Sequence, residues 1–354
     1  MIEAVRSAGH EVLLGAGRDA SKLKDWQERY GVPNVTTDFQ AACESNLVDA
    51  VYVALPPSLH ADYAILALNA GKRVLCEKSL AVRLEDAERI RQAVVRTKIP
   101  LVHATAFPHH PRSQAMRQVI QSGELGEICR ITVACSVGSI LERQDHRSDA
   151  SVGVGCLLDL GWYCVYSTLW FTGFSPGKME SIGTRISPDP TSAWYQVQTI
   201  ARLEPQTTLE GLRAHRSLVA SWDCGYEATG RKWIEIAGTN ASVICDDFLR
   251  PWDLDKPRFW VHGFDGKARA EIAGAGVFQE AQLVRSVPSI TLEESLEASL
   301  GGLASKLLPR AGLSPKLLPA PSRRGARPSD APSARSKRRP PSRLGPGRAE
   351  ERAA

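Results

Sequence analysis

The sequence predicts an α/β protein in which a parallel sheet is followed by an α+β domain built on an open, mainly antiparallel sheet. Two patterns predict this class. Strand and helix signals alternate as far as residue 104, which is typical of βαβ units with right-handed crossovers. Beyond about residue 126, the later strand signals follow one another across short links, which favours antiparallel pairing.

The parallel part is predicted from hydrophobic runs and helix boundary signals. The continuous apolar run VYVAL at 51–55 is typical of a strand covered on both faces. Ser58 is a candidate N-cap and Gly71 a candidate residue just beyond the end of the same helix. The predicted strands are Glu11–Gly15, Val51–Leu55, Arg73–Cys76 and Pro100–Ala104, and the predicted helices are Ala20–Tyr30, Phe39–Ser45, Ser58–Ala70 and Leu84–Lys98.

The second domain is predicted from alternating polar and apolar residues. A helical block over Gly155–Thr172 interrupts its strands. The predicted strands are Glu127–Val137, Trp194–Leu203, Arg216–Trp222, Arg231–Gly238 and Ser242–Cys245. We therefore expect domains over residues 1–106 and 107–300, with a tail over residues 301–354.

The charge of the chain is unevenly distributed. Residues 301–354 contain 13 Lys and Arg but three Asp and Glu, a balance of +10 within a net charge of +5. The first 300 residues therefore carry a net charge of −5. The tail is rich in Pro, Ser, Arg and Gly and predicts disorder. Because it lacks aromatic residues, a nonspecific basic tail is favoured over a nucleic-acid site.

No metal site or membrane span is predicted. The eight cysteines show no CxxC or other metal-binding spacing and are expected to be buried thiols in a reducing compartment. The adjacent pair His109 and His110 favours a solvated or packing role over metal binding. The longest uncharged stretch, Leu160–Phe174, is too short and too rich in Gly, Ser and Thr to cross a bilayer. We expect a cytoplasmic protein.

Two consecutive predicted strands end in residues suited to bind a ligand. Leu55 and Pro56 follow one strand, just before a helix that contains His60, and Glu77 with Lys78 closes the next strand. Ligands of open parallel sheets bind beyond the carboxyl ends of the strands, so both groups lie at the ligand edge. Burial is expected to lower the pKa of Lys78 and make it a usable proton donor and acceptor. The alternative is a surface ion pair after a strand.

Three further residues are candidates for the same site. Asp159 and Tyr163 are spaced i, i+4 within an apolar stretch, so a helix places them on one face. They suit a polar site for a substrate hydroxyl, or alternatively a helix-start Asp and an aromatic core residue. Arg18 follows a predicted strand, where an Arg often meets a ribose phosphate; the alternative is a solvated Arg before a helix.

Together these residues resemble the Gfo/Idh/MocA oxidoreductase family. The resemblance is carried by residues 48–80 (VDAVYVALPPSLHADYAILALNAGKRVLCEKSL), 110–128 (HPRSQAMRQVIQSGELGEI) and 153–165 (GVGCLLDLGWYCV). It implies an N-terminal Rossmann domain, a C-terminal α/β domain on an open antiparallel sheet, and binding of NAD or NADP. It also implies oxidation or reduction of sugars, polyols or diols, and a homo-oligomer formed through the open sheet.

The resemblance assigns roles to individual residues. Lys78, in the position of the family's Glu-Lys-Pro motif, is expected to be catalytic, with Asp159 and Tyr163 in support. Tyr at position 163 resembles members similar to glucose–fructose oxidoreductase and dihydrodiol dehydrogenase. The same resemblance places Leu55, Pro56, His60, Glu77 and Lys78 beside the nicotinamide, and Arg18 near the adenosine ribose, which favours NADP over NAD.

The sequence also departs from the family pattern. The opening MIEAVRSAGHEV corresponds to the helix that follows the phosphate loop, so the first Rossmann strand and its GxGxxG are expected to be absent. The segment after about Val284 diverges as well. These departures leave open a non-catalytic family remnant that forms oligomers without binding a cofactor. A third alternative, a polyanion-binding protein, depends on the basic tail alone.

Overall fold

A computed structural model describes residues 1–138, 147, 155–185, 193–205 and 212–289. The predicted tail over residues 301–354 lies outside the described residues. The helices are α1 Ile2–Ser7, α2 Ala20–Tyr30, α3 Phe39–Glu44, α4 His60–Asn69, α5 Leu84–Thr97, α6 Pro111–Gln121, α7 Trp162–Thr172 and α8 Gln279–Ser286. The first six strands are β1 Leu14–Ala16, β2 Asn34–Thr36, β3 Ala50–Val53, β4 Arg73–Glu77, β5 Leu101–Ala104 and β6 Glu127–Ser136. The others are β7 Phe174–Arg185, β8 Trp194–Pro205, β9 Arg213–Gly225, β10 Arg231–Gly238, β11 Ala241–Cys245, β12 Arg258–Gly263 and β13 Ala268–Ile272.

The N-terminal strands are all parallel, which confirms that part of the predicted fold. They form two separate sheets, a pair β1–β2 and a three-stranded sheet in the order β3–β4–β5. Strand β2, with the sequence NVT, was not predicted because three residues are too few to establish an alternating pattern.

Helices cover both faces of the sheet β3–β4–β5. Val74 and Leu101 belong to one apolar cluster with residues of α4 and α5. Leu75 and Val102 belong to another cluster, with residues of α1 and α8. Since α8 lies near the end of the described chain, the chain returns there to pack on its own N-terminal sheet.

Strand β3 differs from its prediction. The run VYVAL was expected to be covered on both faces, but Ala50 and Tyr52 are exposed, and the strand ends at Val53. The reason is the position of β3 at the edge of its sheet: Tyr52 pairs with Leu75, but the cluster that covers Leu75 and Val102 contains no residue of β3.

The helix after β3 begins later than predicted. Residues Pro57–Leu59 form a single 3₁₀ turn, and α4 starts at His60, so Ser58 is not the N-cap. At the other end, Gly71 has a φ of +81° and follows the helix cap at Ala70, which confirms its predicted place.

The second part of the chain contains an eight-stranded sheet in the order β13–β12–β11–β10–β6–β9–β8–β7. All its neighbours pair antiparallel except β6 and β9, which are parallel. This confirms a mainly antiparallel sheet. Helices α6 and α7 contribute to the apolar cluster on one face of it, through residues such as Met116 and Val165. Strand β7 was not predicted, because its start, FSPGK, contains Pro and Gly.

A buried ion pair fastens α6 to the loop after β11. Arg112 is fully buried and Asp247 is 1% exposed. The Arg112 guanidinium donates to the Asp247 carboxylate and, at 2.9 Å, to the Asp247 carbonyl oxygen. The backbone N–H of Trp252 donates to the second carboxylate oxygen at 2.6 Å. The pair therefore satisfies charges that would be costly to bury alone.

We expect Arg112→Met to lower the free energy of unfolding by about 3–5 kcal/mol, because it leaves the Asp247 carboxylate buried without its cation. Denaturant unfolding followed by circular dichroism measures the loss. Arg269→Met is the matched control: Arg269 pairs with Glu124 at the surface, with side chains 48% and 38% exposed, so its loss is expected to cost below about 1 kcal/mol. Equal costs for the two variants would contradict the prediction.

Candidate active site

A cavity of about 220 Å³ opens where the carboxyl ends of β3 and β4 lie side by side. One part of its wall is apolar, and another part carries charged side chains. The lining residues are Ala54, Leu55, Pro57, Glu77, Lys78, Ser79, Arg147, Leu158 and Asp159. The cavity therefore combines strand ends of the parallel sheet with residues that precede α7.

A π-helix places Asp159 in the lining of this cavity. The segment Leu157–Gly161 has π-helical geometry and continues directly into α7. Just before it, Gly155 has a φ of +77° and packs so closely on the backbone of Trp194 that a Cβ would lie 2.3 Å from the carbonyl oxygen. Glycine is therefore required there, and the wide helical turn that follows is of a kind often found at functional sites.

Lys78 and Asp159 form the central contact of the site. The Lys78 ammonium donates to the Asp159 carboxylate and, at 3.0 Å, to the Asp159 carbonyl oxygen. The two side chains are 17% and 12% exposed. The Lys78 nitrogen also lies 5.1 Å from the centre of the Tyr163 ring, within the range of a cation–π contact. The structure thus brings together the three residues that the sequence marked as catalytic candidates.

Two residues that the sequence analysis missed complete the surroundings of Asp159. The Tyr226 hydroxyl donates to the second carboxylate oxygen at 3.1 Å, and the Arg147 guanidinium lies 3.3 Å from the same oxygen. Tyr226 directly follows β9 and is 1% exposed. Its position at a strand end is the one signal that marks it in the sequence, and it is shared by many structural residues.

The charges of the site stabilise one another. Burial acts to lower the pKa of Lys78, but Tyr163 and the Asp159 carboxylate outweigh it, and the pKa lies above its ordinary value. The expectation that burial would lower this pKa is wrong, because it did not include the carboxylate. Burial likewise acts to raise the pKa of Asp159, but the cations Lys78 and Arg147 outweigh it, and the pKa is lowered. Burial raises the pKa of Tyr163 to about 12. At neutral pH, the pair is therefore an ammonium and a carboxylate.

The remaining candidate residues differ in whether they line the cavity. Leu55 and Glu77 line the cavity, and the Glu77 carboxylate accepts hydrogen bonds from the Tyr52 hydroxyl and, at 3.2 Å, from the Lys78 backbone N–H. Pro56 comes just before the 3₁₀ turn and does not line the cavity. Arg18 is exposed after β1 and is also absent from the lining.

His60 is fully buried rather than exposed to the cavity. Its Nδ1 lies 2.8 Å from the Ser79 carbonyl oxygen and its Nε2 lies 2.7 Å from the Leu55 carbonyl oxygen. Both ring nitrogens therefore face the backbone of the two loops that line the cavity.

The cavity suits the nicotinamide end of a dinucleotide in chemistry. Leu55, Pro57 and Leu158 offer apolar contacts for a planar ring, while Lys78 and Asp159 supply polar groups beside it. Among the described residues, no group of three or more His, Cys, Asp or Glu side chains is arranged to hold a metal ion. No helix in the described part of the chain is long and apolar enough to cross a membrane.

Comparison with known proteins identifies the family of the chain. Residues 4–104 match the model of the oxidoreductase family with an NAD-binding Rossmann fold, Gfo/Idh/MocA, and residues 113–244 match a Gfo/Idh/MocA C-terminal domain. The uncharacterized oxidoreductase ORF334 of Rhizobium meliloti is 34% identical over 250 residues, which cover 71% of each chain. The trans-1,2-dihydrobenzene-1,2-diol dehydrogenase of Bos taurus is 28% identical over 304 residues, covering 83% of this chain and 85% of the relative.

The solved structures include a similar fold. KijD10, a 3-ketoreductase from Actinomadura kijaniata in complex with NADP and TDP-benzene, superposes with a TM-score of 0.74 at 24% identity, over 87% of this chain and 91% of that one. The chain spans about half the length of several other curated relatives that it matches. From the two matched domains and the similarity to ORF334, the chain belongs to the Gfo/Idh/MocA oxidoreductase family, whose N-terminal domain is an NAD-binding Rossmann fold.

Proposed function

We propose that this protein is an NAD(P)-dependent oxidoreductase that transfers hydride between the nicotinamide and a hydroxyl or carbonyl carbon of a sugar, polyol or diol. The observation that carries the proposal is the buried contact of Lys78 with Asp159 and the Tyr163 ring, at the carboxyl edge of a parallel sheet. When bound, NAD(P) supplies the donor or acceptor of the hydride.

The residues of the site are proposed to transfer the proton and to hold the proton donor in place. The Lys78 ammonium donates a proton to the substrate oxygen during reduction, and the neutral amine takes it back during oxidation. Asp159 holds the ammonium in place and balances its charge. Tyr226 fixes the Asp159 carboxylate through its hydroxyl. Tyr163 covers the ammonium with its ring and, with a pKa of about 12, keeps its own proton at neutral pH.

The cofactor is proposed to lie across the strand ends. Leu55 and Glu77, which line the cavity, are proposed to hold the nicotinamide end. Pro56 and His60 do not line it and are proposed to act by holding the loops that do. Arg18 is proposed to meet the adenosine ribose, where its guanidinium would favour the additional phosphate of NADP over the hydroxyl of NAD.

The face of the antiparallel sheet opposite its core is proposed to be the contact surface of a homo-oligomer. In β8, Val197 and Ala201 face the core, so the intervening Ile200 faces the opposite side of the sheet. Ile200 is 61% exposed and Ile182, on the adjacent β7, is 45% exposed. Glu180 and Gln198 pair with these isoleucines on the same face, and this mixed surface is proposed to be buried against a second copy.

A second candidate function is that of a family member without cofactor binding. The observation in its favour is the separation of the parallel strands into two sheets, β1–β2 and β3–β4–β5. Titration of the purified protein with NADPH and NADH, followed by cofactor fluorescence, separates the two candidates. Binding by either cofactor supports the oxidoreductase, and no change at millimolar cofactor supports the second candidate.

We expect Lys78→Met to lower kcat/KM by about 10²- to 10⁴-fold, because the substrate oxygen loses its proton donor. The assay follows NAD(P)H absorbance with a panel of sugars, polyols and diols. The melting temperature is expected to change little, since Arg147 and Tyr226 still hold the Asp159 carboxylate. Lys267→Met, at a side chain 88% exposed, is the control. An active Lys78→Met variant would refute the assignment.

We expect Arg18→Ala to weaken the binding of NADPH about tenfold more than the binding of NADH, because a charge-assisted hydrogen bond to the ribose phosphate is lost. Fluorescence titration with both cofactors measures the difference. Lys24→Ala, at an exposed position of α2, controls for a general loss of positive charge. If the two cofactors weaken equally, Arg18 does not read the ribose phosphate.

We expect Tyr226→Phe to lower the free energy of unfolding near neutral pH and to make its decrease toward acid smaller. A carboxylate whose pKa is lowered in the folded state adds stability above its unfolded pKa, ordinarily 3.8, and that stability is lost as the pH falls through the folded pKa. Without the Tyr226 hydrogen bond, the folded pKa of Asp159 moves closer to its unfolded value, so Asp159 adds less stability near neutral pH and less is lost as the pH falls. Denaturant unfolding between pH 3 and pH 6 measures the difference in free energy of unfolding from the wild type. We expect a difference on the order of 1 kcal/mol near pH 6, with Tyr30→Phe as control. Superimposable profiles would contradict the prediction.

A further inference from the structure

His60 joins two loops that both contribute to the active-site cavity. It is the first residue of α4, and its ring lies between the loop after β3 and the loop after β4. The Leu55 carbonyl oxygen lies 2.7 Å from Nε2 and the Ser79 carbonyl oxygen lies 2.8 Å from Nδ1. Leu55 and Ser79 both line the cavity, and Ser79 directly follows Lys78.

The two contacts require two donors. Both partners of His60 are carbonyl oxygens, which only accept hydrogen bonds. A neutral imidazole has one N–H and one lone pair, so it satisfies one carbonyl and turns its lone pair toward the other. The imidazolium form has an N–H on each nitrogen and satisfies both. Both observed contacts are therefore hydrogen bonds only when the ring is protonated on both nitrogens.

The surroundings of His60 act on this charge in opposite directions. Burial lowers the pKa of His60 from its ordinary value of 6.5, and the Lys78 ammonium acts in the same direction. The carbonyl contacts with Ser79 and Leu55 and the Glu77 carboxylate oppose this change. The nearby ring of His103 is buried and its pKa is lowered to about 3, so it remains neutral over most of the acidic range. His60 therefore takes up its second proton at a lower pH than an ordinary histidine.

We propose that His60 is a positioning residue for Lys78: when protonated on both ring nitrogens, it ties the Leu55 carbonyl to the Ser79 carbonyl and fixes the backbone from which Lys78 extends. The role of Lys78 itself is that of the proposed function, on which this inference rests for its catalytic consequence. The coupling of the two loops to the protonation of His60 is a property of the chain alone.

The coupling has a definite direction. As the pH rises through the pKa of His60, one of the two hydrogen bonds is lost, and the loop after β4 is no longer held against the loop after β3. The amide groups of both loops then exchange with solvent more readily. A purely structural histidine, packed in place by apolar contacts, would not give loop protection that follows its own titration.

Two measurements on the full chain test the coupling without turnover. Nitrogen-15 NMR of histidine-labelled protein follows the His60 ring between pH 4.5 and pH 8, with the resonances assigned by their absence from His60→Gln. Hydrogen exchange, corrected for the intrinsic pH dependence of exchange, follows peptides 53–60 and 77–83. Protection of both peptides is expected to fall at least roughly tenfold as the ring loses its second proton. Residues 20–30 of α2 serve as the internal control.

The outcomes decide the proposal in either direction. Loop protection that follows the His60 titration, or an imidazolium with both loops protected throughout, supports it. Loops that remain equally protected while the ring is neutral overturn it. If His60→Gln does not fold, assignment from the sequential backbone resonances of the wild-type protein replaces it, and the pH series remains decisive.

An activity measurement then connects the coupling with catalysis. Below the pKa of His60, His60→Gln is expected to lower kcat about tenfold or more with a smaller change in KM, and it is expected to remove the His60 inflection from the pH profile of kcat. His262→Gln, at an exposed position of β12, is expected to change neither. If the wild-type protein binds no cofactor, the proposed function fails, whereas the NMR and exchange results still decide the role of His60. Unchanged kcat and pH profile in His60→Gln would overturn the positioning role.

Discussion

The contact between Lys78 and Asp159 is the constraint on which the site depends. Burying an ammonium and a carboxylate is costly unless the geometry is good and the remaining donors and acceptors are satisfied. Here, Asp159 accepts from Lys78 on one oxygen and is met by Tyr226 and Arg147 at the other. The Lys78 ammonium is also bound to the Asp159 carbonyl oxygen and covered by the Tyr163 ring. The pair is thus stabilised by a network that holds its geometry.

The fold supplies this network from separate parts of the chain. Lys78 follows a parallel strand that is buried between helices, so its backbone is held by β3 and β5 on either side. Asp159 comes from the π-helix before α7, and Tyr226 from the end of β9 in the other sheet. Preorganised charges at a site are effective because they need not move when the reaction occurs. The antiparallel sheet therefore contributes to the chemistry of a cavity that opens at the parallel one.

Much of the fold and part of the site are predictable from the sequence. Lys78 and Asp159 stand out because each is a charge at the end of, or within, an apolar run, and a buried charge needs a partner. Tyr226 and Arg147 give no such signal, since neither is a charge within or at the end of an apolar run. Strand β7 is hidden by its Pro and Gly residues. Periodicity identifies which residues are buried, but it does not specify which distant residues meet.

The raised pKa of Lys78 shows why its carboxylate partner Asp159 matters more than burial alone. A lysine in an apolar pocket loses its proton easily, whereas the Asp159 carboxylate retains that proton on the nitrogen. The ammonium is therefore ready to donate when a carbonyl is reduced. For the reverse reaction, the proton must leave an ammonium paired with a carboxylate. Arg147 makes this less costly, because its positive charge lowers the pKa of Lys78 and leaves Asp159 with a cation after the proton departs. The same residue that sequence analysis passed over thus balances the charge of the site in both directions of hydride transfer.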